Sequence, residues 1–264
     1  MRQVTEACGE LGLDVGWSPD RWIASVSDGI RSTRIIGYTF GLNDASAAEA
    51  ALDKVCTFGL LHAAGIPAVE HTLIEIPKDR RSRGPNLSPD VQPPLVLKPN
   101  RGSGGADVLL CRNQEELLAN FAALSAKYQT LAYSPFTPFD AEYRVVVLDR
   151  KARLVFEKLR FGGSEQPWKF NLNLGGTPRV VRPASAEYGP LARLAVRASD
   201  ELGIRFGAVD IVVHRNTSTV LEVNDAFSLI FFSASSDENF RIAAALYADV
   251  LSSMFTSSPG SRDR

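Results

Sequence analysis

FGAVDIVVHRNTSTVLEVN, Phe206 to Asn224, places carboxylates among β-branched residues, where a folded chain disfavours them. Two runs rich in Val and Ile flank the polar HRNTST, which is the pattern of a β-hairpin. With a turn centred on Asn216, antiparallel pairing sets Asp210 opposite Glu222, and the period of two puts Asn224 on the same face as Glu222. Two carboxylates about 5 Å apart repel by about 3 kcal/mol at an effective dielectric of about 20. That is a large part of a typical domain stability of about 5–15 kcal/mol. A hard divalent cation reverses the sign. Asp210, Glu222 and Asn224 offer only oxygen ligands, which suit magnesium, an ion that keeps several waters and shares substrate phosphates. The bland alternative is a sheet edge carrying solvated acids.

Around this hairpin the composition is that of an ordinary globular protein: 264 residues, 45% hydrophobic and 22% charged, enough for one large domain or two lobes. A net charge of -1 supplies no global field for nucleic acid or a membrane surface, so neither is expected as a partner. Any anion must be bound by a local cluster, which points to a small polyanion. Cys8, Cys56 and Cys111 are odd in number and lack CxxC spacing, which argues for a reducing compartment and for cysteines acting as small buried hydrophobes. No apolar stretch reaches the roughly 18 residues of a membrane span, and no signal-peptide core opens the chain. The expected location is cytoplasmic.

Upstream, Arg2 to Gly12 reads as an amphipathic helix, WSPD as a break, and WIASVSDGIRSTRIIGYTF as a hairpin about Asp28-Gly29, a dipeptide favoured in tight primed turns. This unit has too little apolar surface to stand alone and is expected to dock on the rest. Trp17 and Trp22 are read as packing residues, with a place in a substrate pocket as the alternative. From Asn43 the pattern turns helical: Asp44 or Ser46 as cap, then AAEAALDKVCTFGLLHAAG as one helix carrying Lys54 and ending at Gly65. VEHTLIEI reads as a strand and Lys78 to Pro94 as an exposed loop, while His62 and His71 are read as structural.

LVLKPNRGSGGADVLL, Leu95 to Leu110, is a strand ending at Lys98-Pro99, a glycine loop from Asn100 to Gly105, and a second strand from Ala106. Gly102, Gly104 and Gly105, with Ser103 among them, let backbone N–H groups approach a phosphate chain closely. Lys98 is a point charge at the mouth of the loop. Neither GxxxxGK[ST] nor a helix directly after the loop is present, so this is not a Walker loop or a dinucleotide fingerprint. AEYRVVVLDRKARLVFEKLR then reads as a hairpin about Asp149 to Lys151, with Glu142 and Arg144 on one face; an ion pair of Arg144 with Glu142 or Glu157 is the alternative reading. FGGSEQPWKFNLNLGGTPRVV reads as a loop able to close over substrate, followed by a helix from about Ser185 to Gly203. A final helix is expected from about Ser236 to Phe255.

The ordered set of Lys54 with AAGIP, Lys98 with its glycine loop, AEYRVVV, FNLNLGG and VD…LEVN resembles the ATP-grasp superfamily over roughly residues 47 to 250. It is most similar to the carboxylate-amine ligases of the ribosomal-protein glutamate ligase type. The resemblance implies an α/β (α+β) fold of two lobes, each built on a mainly antiparallel sheet, with ATP held between them. Residues 1–46 would be a short N-terminal appendage, 47–135 the small lobe, 136–256 the large lobe and 257–264 a disordered tail. Lys54 and Lys98 would approach the phosphates under the glycine loop, and Glu142 would take the ribose hydroxyls. The adenine hinge would fall at LAYSPF, with Tyr133 or Ser134 at its centre and Phe136 at its end. Arg144, Lys158, Lys169, Asn171 and Asn173 would surround the transferred phosphoryl group or the substrate. Leu174 stands where relatives of this type often have arginine, which implies a less acidic substrate. Phe227, Ile230, Phe231 and Phe232 are read as core, with an apolar substrate wall as the alternative.

The chemistry so implied is an ADP-forming ligation: a carboxylate attacks the γ-phosphorus of ATP, and an amine displaces phosphate from the acyl phosphate to form an amide. Two ions, magnesium or manganese, would be held by Asp210, Glu222 and Asn224, with Glu222 bridging. The substrates would be small-molecule or peptide carboxylates and amines, and a homodimer or a partner protein could complete the substrate site. A kinase acting on a hydroxyl and a non-catalytic nucleotide-binding module are the alternatives.

Overall fold

The computed structural model describes residues 2–76, 92–102, 104–160, 162 and 168–256. Helix α1 (Arg2–Glu10) buries Val4, Ala7 and Cys8, three and four residues apart as one helical face requires. Strands β1 (Asp14–Trp17), β2 (Ile23–Ser27) and β3 (Ser32–Ile36) then form an antiparallel sheet in that order. The sequence reading lacked β1. The β2–β3 hairpin forms, but Ser27 pairs with Ser32, so four residues make the loop instead of a tight two-residue turn at Asp28-Gly29. The Asp28 carboxylate stabilises this wider loop by accepting from the Ile30 and Arg31 amides at 2.9 and 2.6 Å. The docked unit buries Ala24, Val26, Ile35 and Phe40 in one core with Phe206, Phe232 and Val250 from the far end of the chain.

The single helix expected after Asn43 is two helices, α2 (Ala45–Leu52) and α3 (Lys54–Ala63). Asp53 breaks them. Its backbone is extended and bridges to Arg101, the Lys54 amide donates to the Asn100 carbonyl at 3.2 Å, and its carboxylate caps α3 by accepting from the Cys56 amide at 2.9 Å. Cys56 is exposed, unlike Cys8 and Cys111, which corrects the reading of all three as buried. Ala47, Ala51 and Leu61 pack with strand and helix residues of the large sheet, although the sequence reading grouped them with the small lobe.

The small sheet follows: β4 (Thr72–Glu75), β5 (Leu95–Pro99), β6 (Leu109–Cys111), helix α4 (Gln114–Ser125) and β7 (Thr130–Pro135), in strand order β4-β7-β5-β6. Strand β6 starts at Leu109 and not at Ala106, because the glycine turn continues through Asp107, whose φ is +54. Of the loop read from Lys78 to Pro94, residues 78–91 lie outside the described residues.

The large sheet has the order β10-β9-β8-β11-β12, from β8 (Ala141–Leu148), β9 (Lys151–Leu159), β10 (Thr177–Val180), β11 (Phe206–His214) and β12 (Thr217–Asn224). Helix α5 (Tyr188–Glu201) covers one face, starting later than Ser185 because Ser185 to Tyr188 first make a turn. The short helix α6 (Ile230–Ser233) and α7 (Asp237–Thr256) cover the other with α1. Strand β10, which extends the edge by pairing with β9, was read as loop. Residues 257–264, read as a tail, lie outside the described residues. No helix among the described residues is long and apolar enough to cross a membrane.

The hairpin of β11 and β12 reaches the expected pairing by a different route. Its turn is Arg215-Asn216, both left-handed, and the strands leave it with His214 opposite Thr217. Carried inward unchanged, that register would set Asp210 against Leu221 and turn Glu222 to the other face. A bulge at Leu221 inserts one residue, after which Asp210 faces Glu222 and Ala208 faces Asn224. The close approach of the strand ends needs Gly207: a Cβ there would stand 2.6 Å from Ile204 Cγ2 and 2.9 Å from the Asn224 carbonyl oxygen. Gly207→Ala is therefore expected to destabilise the fold by about 1–3 kcal/mol in urea unfolding. An unchanged midpoint would show that β12 yields without cost.

Candidate active site

The outward faces of β8, β9, β11 and β12 and the underside of β5 and its glycine loop enclose a cavity of about 700 Å³. This lies within the usual range for a small-molecule site. Among the residues that line it are Lys54, Lys98, Gly102, Gly104, Gly105, Ser134, Phe136, Glu142, Arg144, Lys158, Lys169, Asn171, Asn173, Asp210, Glu222 and Asn224. Ser103 lies outside the described residues. Residues from six separate stretches of chain thus meet in one place. Tyr133 turns instead toward the small-sheet core, so that of the two residues expected at the centre of the adenine hinge Ser134 is the one that faces the cavity. The Phe136 amide is occupied, donating to the Pro94 carbonyl at 3.0 Å, and its ring meets Trp168 edge-on with centroids 6.2 Å apart.

Neither Trp17 nor Trp22 lines the cavity: Trp17 packs on the first core, and Trp22 is exposed. Leu174, expected to tune the substrate, is exposed and also does not line it. The four residues read together after the hairpin divide. Phe227 and Phe232 are buried, Ile230 and Phe231 are exposed, and Phe231 lines the cavity with the two buried rings. Tyr38, Phe139, Arg160 and Trp168 also line it and were not singled out in the sequence, where nothing in their local pattern marks them.

At the centre is a buried network of charges. The Arg144 guanidinium donates from Nε to Asp210 Oδ1 at 2.8 Å and from its terminal nitrogen to Oδ2 at 2.6 Å, a two-point pairing across β8 and β11. Lys158 lies 3.0 Å from Asp210 Oδ1 and also contacts Glu142. Arg144 is thus paired with Asp210, not with Glu142 or Glu157. Burial acts to raise the Asp210 carboxyl, but Arg144 and Lys158 outweigh it and hold that carboxyl well below the ordinary range. For Glu142 burial wins over Lys158, helped by the negative charges of Asp210 and Glu222, and its carboxyl is pushed up.

Facing this network are two lysines on the other wall. Lys98 is 6% exposed, and burial, offset in part by Glu222, depresses its ammonium to about 8. Lys54 is lowered by burial too, and it donates to the Gly102 carbonyl at 3.0 Å. Lys169 lies over the Trp168 ring at 5.1 Å. Among the described residues, none of these three lysines has a carboxylate within ion-pair reach. The glycine loop arches against the opposite wall, where a Cβ on Gly105 would stand 3.0 Å from Asn171 Nδ2.

The donor set of the hairpin suits a hard cation. Asn224 turns its amide nitrogen toward Glu222 Oε1 at 3.4 Å and the Ala208 carbonyl at 3.5 Å, which leaves its amide oxygen free to coordinate. Glu222 is otherwise uncommitted among the described residues, and Asp210 Oδ2 keeps one lone pair beside Arg144. No group of three His, Cys, Asp or Glu side chains forms a metal cage among the described residues, so coordination here needs the Asn224 oxygen as well.

Comparison with known proteins agrees with this arrangement. A protein of Xanthomonas euvesicatoria pv. vesicatoria (strain 85-10) named "Probable alpha-L-glutamate ligase" is 29% identical over 212 residues, covering 80% of this chain and 67% of its own. One of the same name from Xylella fastidiosa (strain M12) is 27% identical over 215 residues, covering 81% and 68%. In fold, the chain superposes on D-alanine–D-alanine ligase from Bacillus anthracis complexed with ATP with a TM-score of 0.62 at 17% identity, over 81% of this chain and 67% of that one. It also matches the ATP-grasp ligase PsnB complexed with its precursor peptide and AMPPNP, with a TM-score of 0.52 at 17% identity, over 80% and 60%. The RimK-like ATP-grasp domain matches residues 51–247, most of the chain and all of the cavity walls except Tyr38, and the chain belongs to that family.

Proposed function

We propose that the chain is an ATP-dependent carboxylate–amine ligase that forms an amide through an acyl phosphate and releases ADP and phosphate. The observation that carries this reading is the charge balance of the cavity. Six cationic side chains, Lys54, Lys98, Arg144, Lys158, Arg160 and Lys169, line it against the three carboxylates Glu142, Asp210 and Glu222. The excess answers a triphosphate of about four negative charges, with divalent ions supplying the remainder. Among the described residues no His or Cys lines the same cavity, in keeping with a reaction driven by positioning and charge neutralisation.

In this reading Ser134 and Phe136 border the adenine, Glu142 meets the ribose, and Gly102, Gly104 and Gly105 cover the phosphates with Lys54 and Lys98. Glu222, Asn224 and the free edge of Asp210 would hold two ions, magnesium or manganese, which when bound draw charge from the phosphate oxygens. A substrate carboxylate oxygen attacks the γ-phosphorus, the new O–P bond forms, and the bond to the bridging oxygen breaks as ADP leaves. An amine lone pair then attacks the acyl carbon, the C–N bond forms, and phosphate departs with the C–O electrons while the amine proton passes to it. Lys158, Lys169, Asn171 and Asn173 would stabilise the transferring group. Arg144, with its guanidinium committed to Asp210, acts as a positioning residue.

Measuring ADP together with free phosphate, using magnesium, ATP and pooled carboxylates and amines, tests the proposal. Release of both supports the ligase, whereas a product that retains phosphate stably supports a kinase. A second expectation concerns pH. ATP favours the charged form of Lys98, whose ammonium is depressed to about 8 in the free protein. Affinity for an ATP analogue should therefore be full below that pH and fall by up to about tenfold per unit above it. Lys98→Arg should remove the dependence, and an equally steep loss in that variant would move the titrating group elsewhere.

A further inference from the structure

The register of the large sheet sets the order of groups along the cleft. Strand β8 enters from Phe139, places Glu142 opposite Val212, Arg144 opposite Asp210 and Val146 opposite Ala208, and Ala208 in turn pairs with Asn224. From Val212 to Ala208 is four residues of strand, about 13 Å. The Phe136–Trp168 pair is therefore at one end, the carboxylates and lysines are in the middle, and Ala226 to Phe232 lie beyond Asn224 at the other. On the ligase reading above, on which this inference rests, a nucleotide fills the first two regions and the acid to be activated occupies the third.

Among the described residues lining the cavity, Tyr38, Leu172, Asn173, Ser228, Phe231 and Phe232 belong to this end, α6 packing against the turn at Leu172–Leu174, and none of these six side chains carries a charge. Phe231 is 54% exposed, whereas Phe232, the next residue, is 1% exposed and packs on Phe156 with centroids 4.8 Å apart. One ring of the pair is thus core and the other is left facing the cleft. The N-terminal unit supplies the opposing wall. Ile36 and Thr39 close a tight turn with mutual backbone hydrogen bonds of 3.2 and 2.9 Å, and Gly37 sits within it at φ +58. A Cβ on Gly37 would stand 2.7 Å from the Trp22 ring, so the turn is held in place with Tyr38 presented to the cleft. An anionic side chain placed against these residues would meet no countercharge from them.

We infer that Tyr38, Leu172 and Phe231 form an apolar subsite that selects a carboxylic acid bearing an apolar or aromatic side chain and rejects an acidic one. The carboxyl group of that substrate points back toward the phosphate region in the middle of the cleft. The N-terminal unit is then part of the specificity apparatus.

The test uses the full chain with N-acetylphenylalanine, N-acetylleucine and N-acetylglutamate, which leave only carboxylates to react. Binding of each is measured by calorimetry in the presence of a non-hydrolysable ATP analogue, and ADP release is measured with ATP and pooled amines. The apolar acids should bind at least tenfold more tightly than N-acetylglutamate. Phe231→Ala should raise their KM at least tenfold with kcat within twofold and the KM for ATP unchanged. Phe231→Arg should shift preference toward N-acetylglutamate, and because Phe231 is exposed both variants should fold. Preference of the unaltered chain for N-acetylglutamate, equal effects of Phe231→Ala on all three acids, or no binding of any of them overturns the subsite. Selective binding of the apolar acids without ADP release leaves the subsite standing and refutes the ligase reading.

Discussion

Glu222→Gln is expected to lower ADP release at saturating ATP and magnesium by at least about 1,000-fold, equivalent to about 4 kcal/mol of transition-state stabilisation. The substitution keeps the size and shape of the side chain while removing the charge that makes it a strong ligand. Glu222 is the acid of the hairpin with the most open coordination sites: its one described hydrogen bond is from Asn224 at 3.4 Å, while Asp210 is already held by Arg144 and Lys158. A Lewis acid polarising phosphoryl oxygens supplies several kcal/mol, so loss of this ligand should be felt mainly in the reaction. Because Glu222 is half-buried and, among the described residues, makes no hydrogen bond or ion pair with Arg144 or Lys158, the melting temperature without ATP should change far less than the activity. A coupled assay for ADP, run beside thermal melts with and without magnesium ATP, reads both quantities. More than a tenth of the activity surviving at saturating magnesium would place the ions on other ligands.

The second large effect is on stability. Arg144→Leu is expected to destabilise the fold by about 3–5 kcal/mol, because it leaves the Asp210 carboxylate buried without its two-point partner. Asp210 is 1% exposed, so water replaces the guanidinium poorly, and among the described residues Lys158 is the cation left within reach. The double variant Arg144→Leu with Asp210→Leu should recover most of the loss, since it removes the orphaned charge as well. The dependence on pH follows from the depressed carboxyl of Asp210. A carboxylate whose folded value lies below its unfolded value of about 3.9 stabilises the fold above that pH, and the contribution fades as pH falls toward the folded value. Arg144→Leu raises the folded value, so its penalty in urea unfolding should be largest near neutral pH and shrink in acid. A penalty under about 1 kcal/mol at neutral pH would mean that the network orients Asp210 without stabilising the fold.

The gap between sequence and structure is clearest in the hairpin. The alternation of Val and Ile with Asp210, Glu222 and Asn224 is a local pattern, readable because side chains on a strand alternate faces with a period of two. The turn lies half a residue from where the reading placed it, and the bulge at Leu221 restores the expected pairing. Nothing in TVLEVN announces a bulge. Beside the bulge, Val220 on the outer edge of β12 exchanges backbone hydrogen bonds with Pro67 and Val69 at 2.9 and 2.8 Å, a pairing with residues far away in the chain. The break at Asp53 has the same origin. AAEAALDKVCTFGLLHAAG has an unbroken helical pattern, and the interruption comes from the Asn100–Arg101 backbone pairing with it across 46 or more residues.

For the candidate site, the charged and glycine residues were legible because their chemistry is unusual for their setting. A buried-looking acid in a strand, a lysine at a strand end before a glycine loop and a polar run between glycines each contradict a simple packing role. Arg144 was legible as a site residue, but its attachment to Asp210 was not, since that pairing depends on the register of β8 against β11. Tyr38 and Trp168 carried no signal at all, because an aromatic residue in a loop has the same local appearance whether it packs, projects or lines a cleft.

The sequence by itself determined the antiparallel hairpins, the glycine-rich loop after Lys98 and the convergence of Asp210, Glu222 and Asn224 on one face, because each depends on local periodicity and residue chemistry within a few positions. The tertiary structure alone decided which carboxylate pairs with which cation, where the helix after Asn43 breaks, and which aromatic rings line the cavity. Those outcomes depend on contacts between segments far apart in the chain, where burial and competing partners, not the local pattern, choose among orientations of similar intrinsic energy.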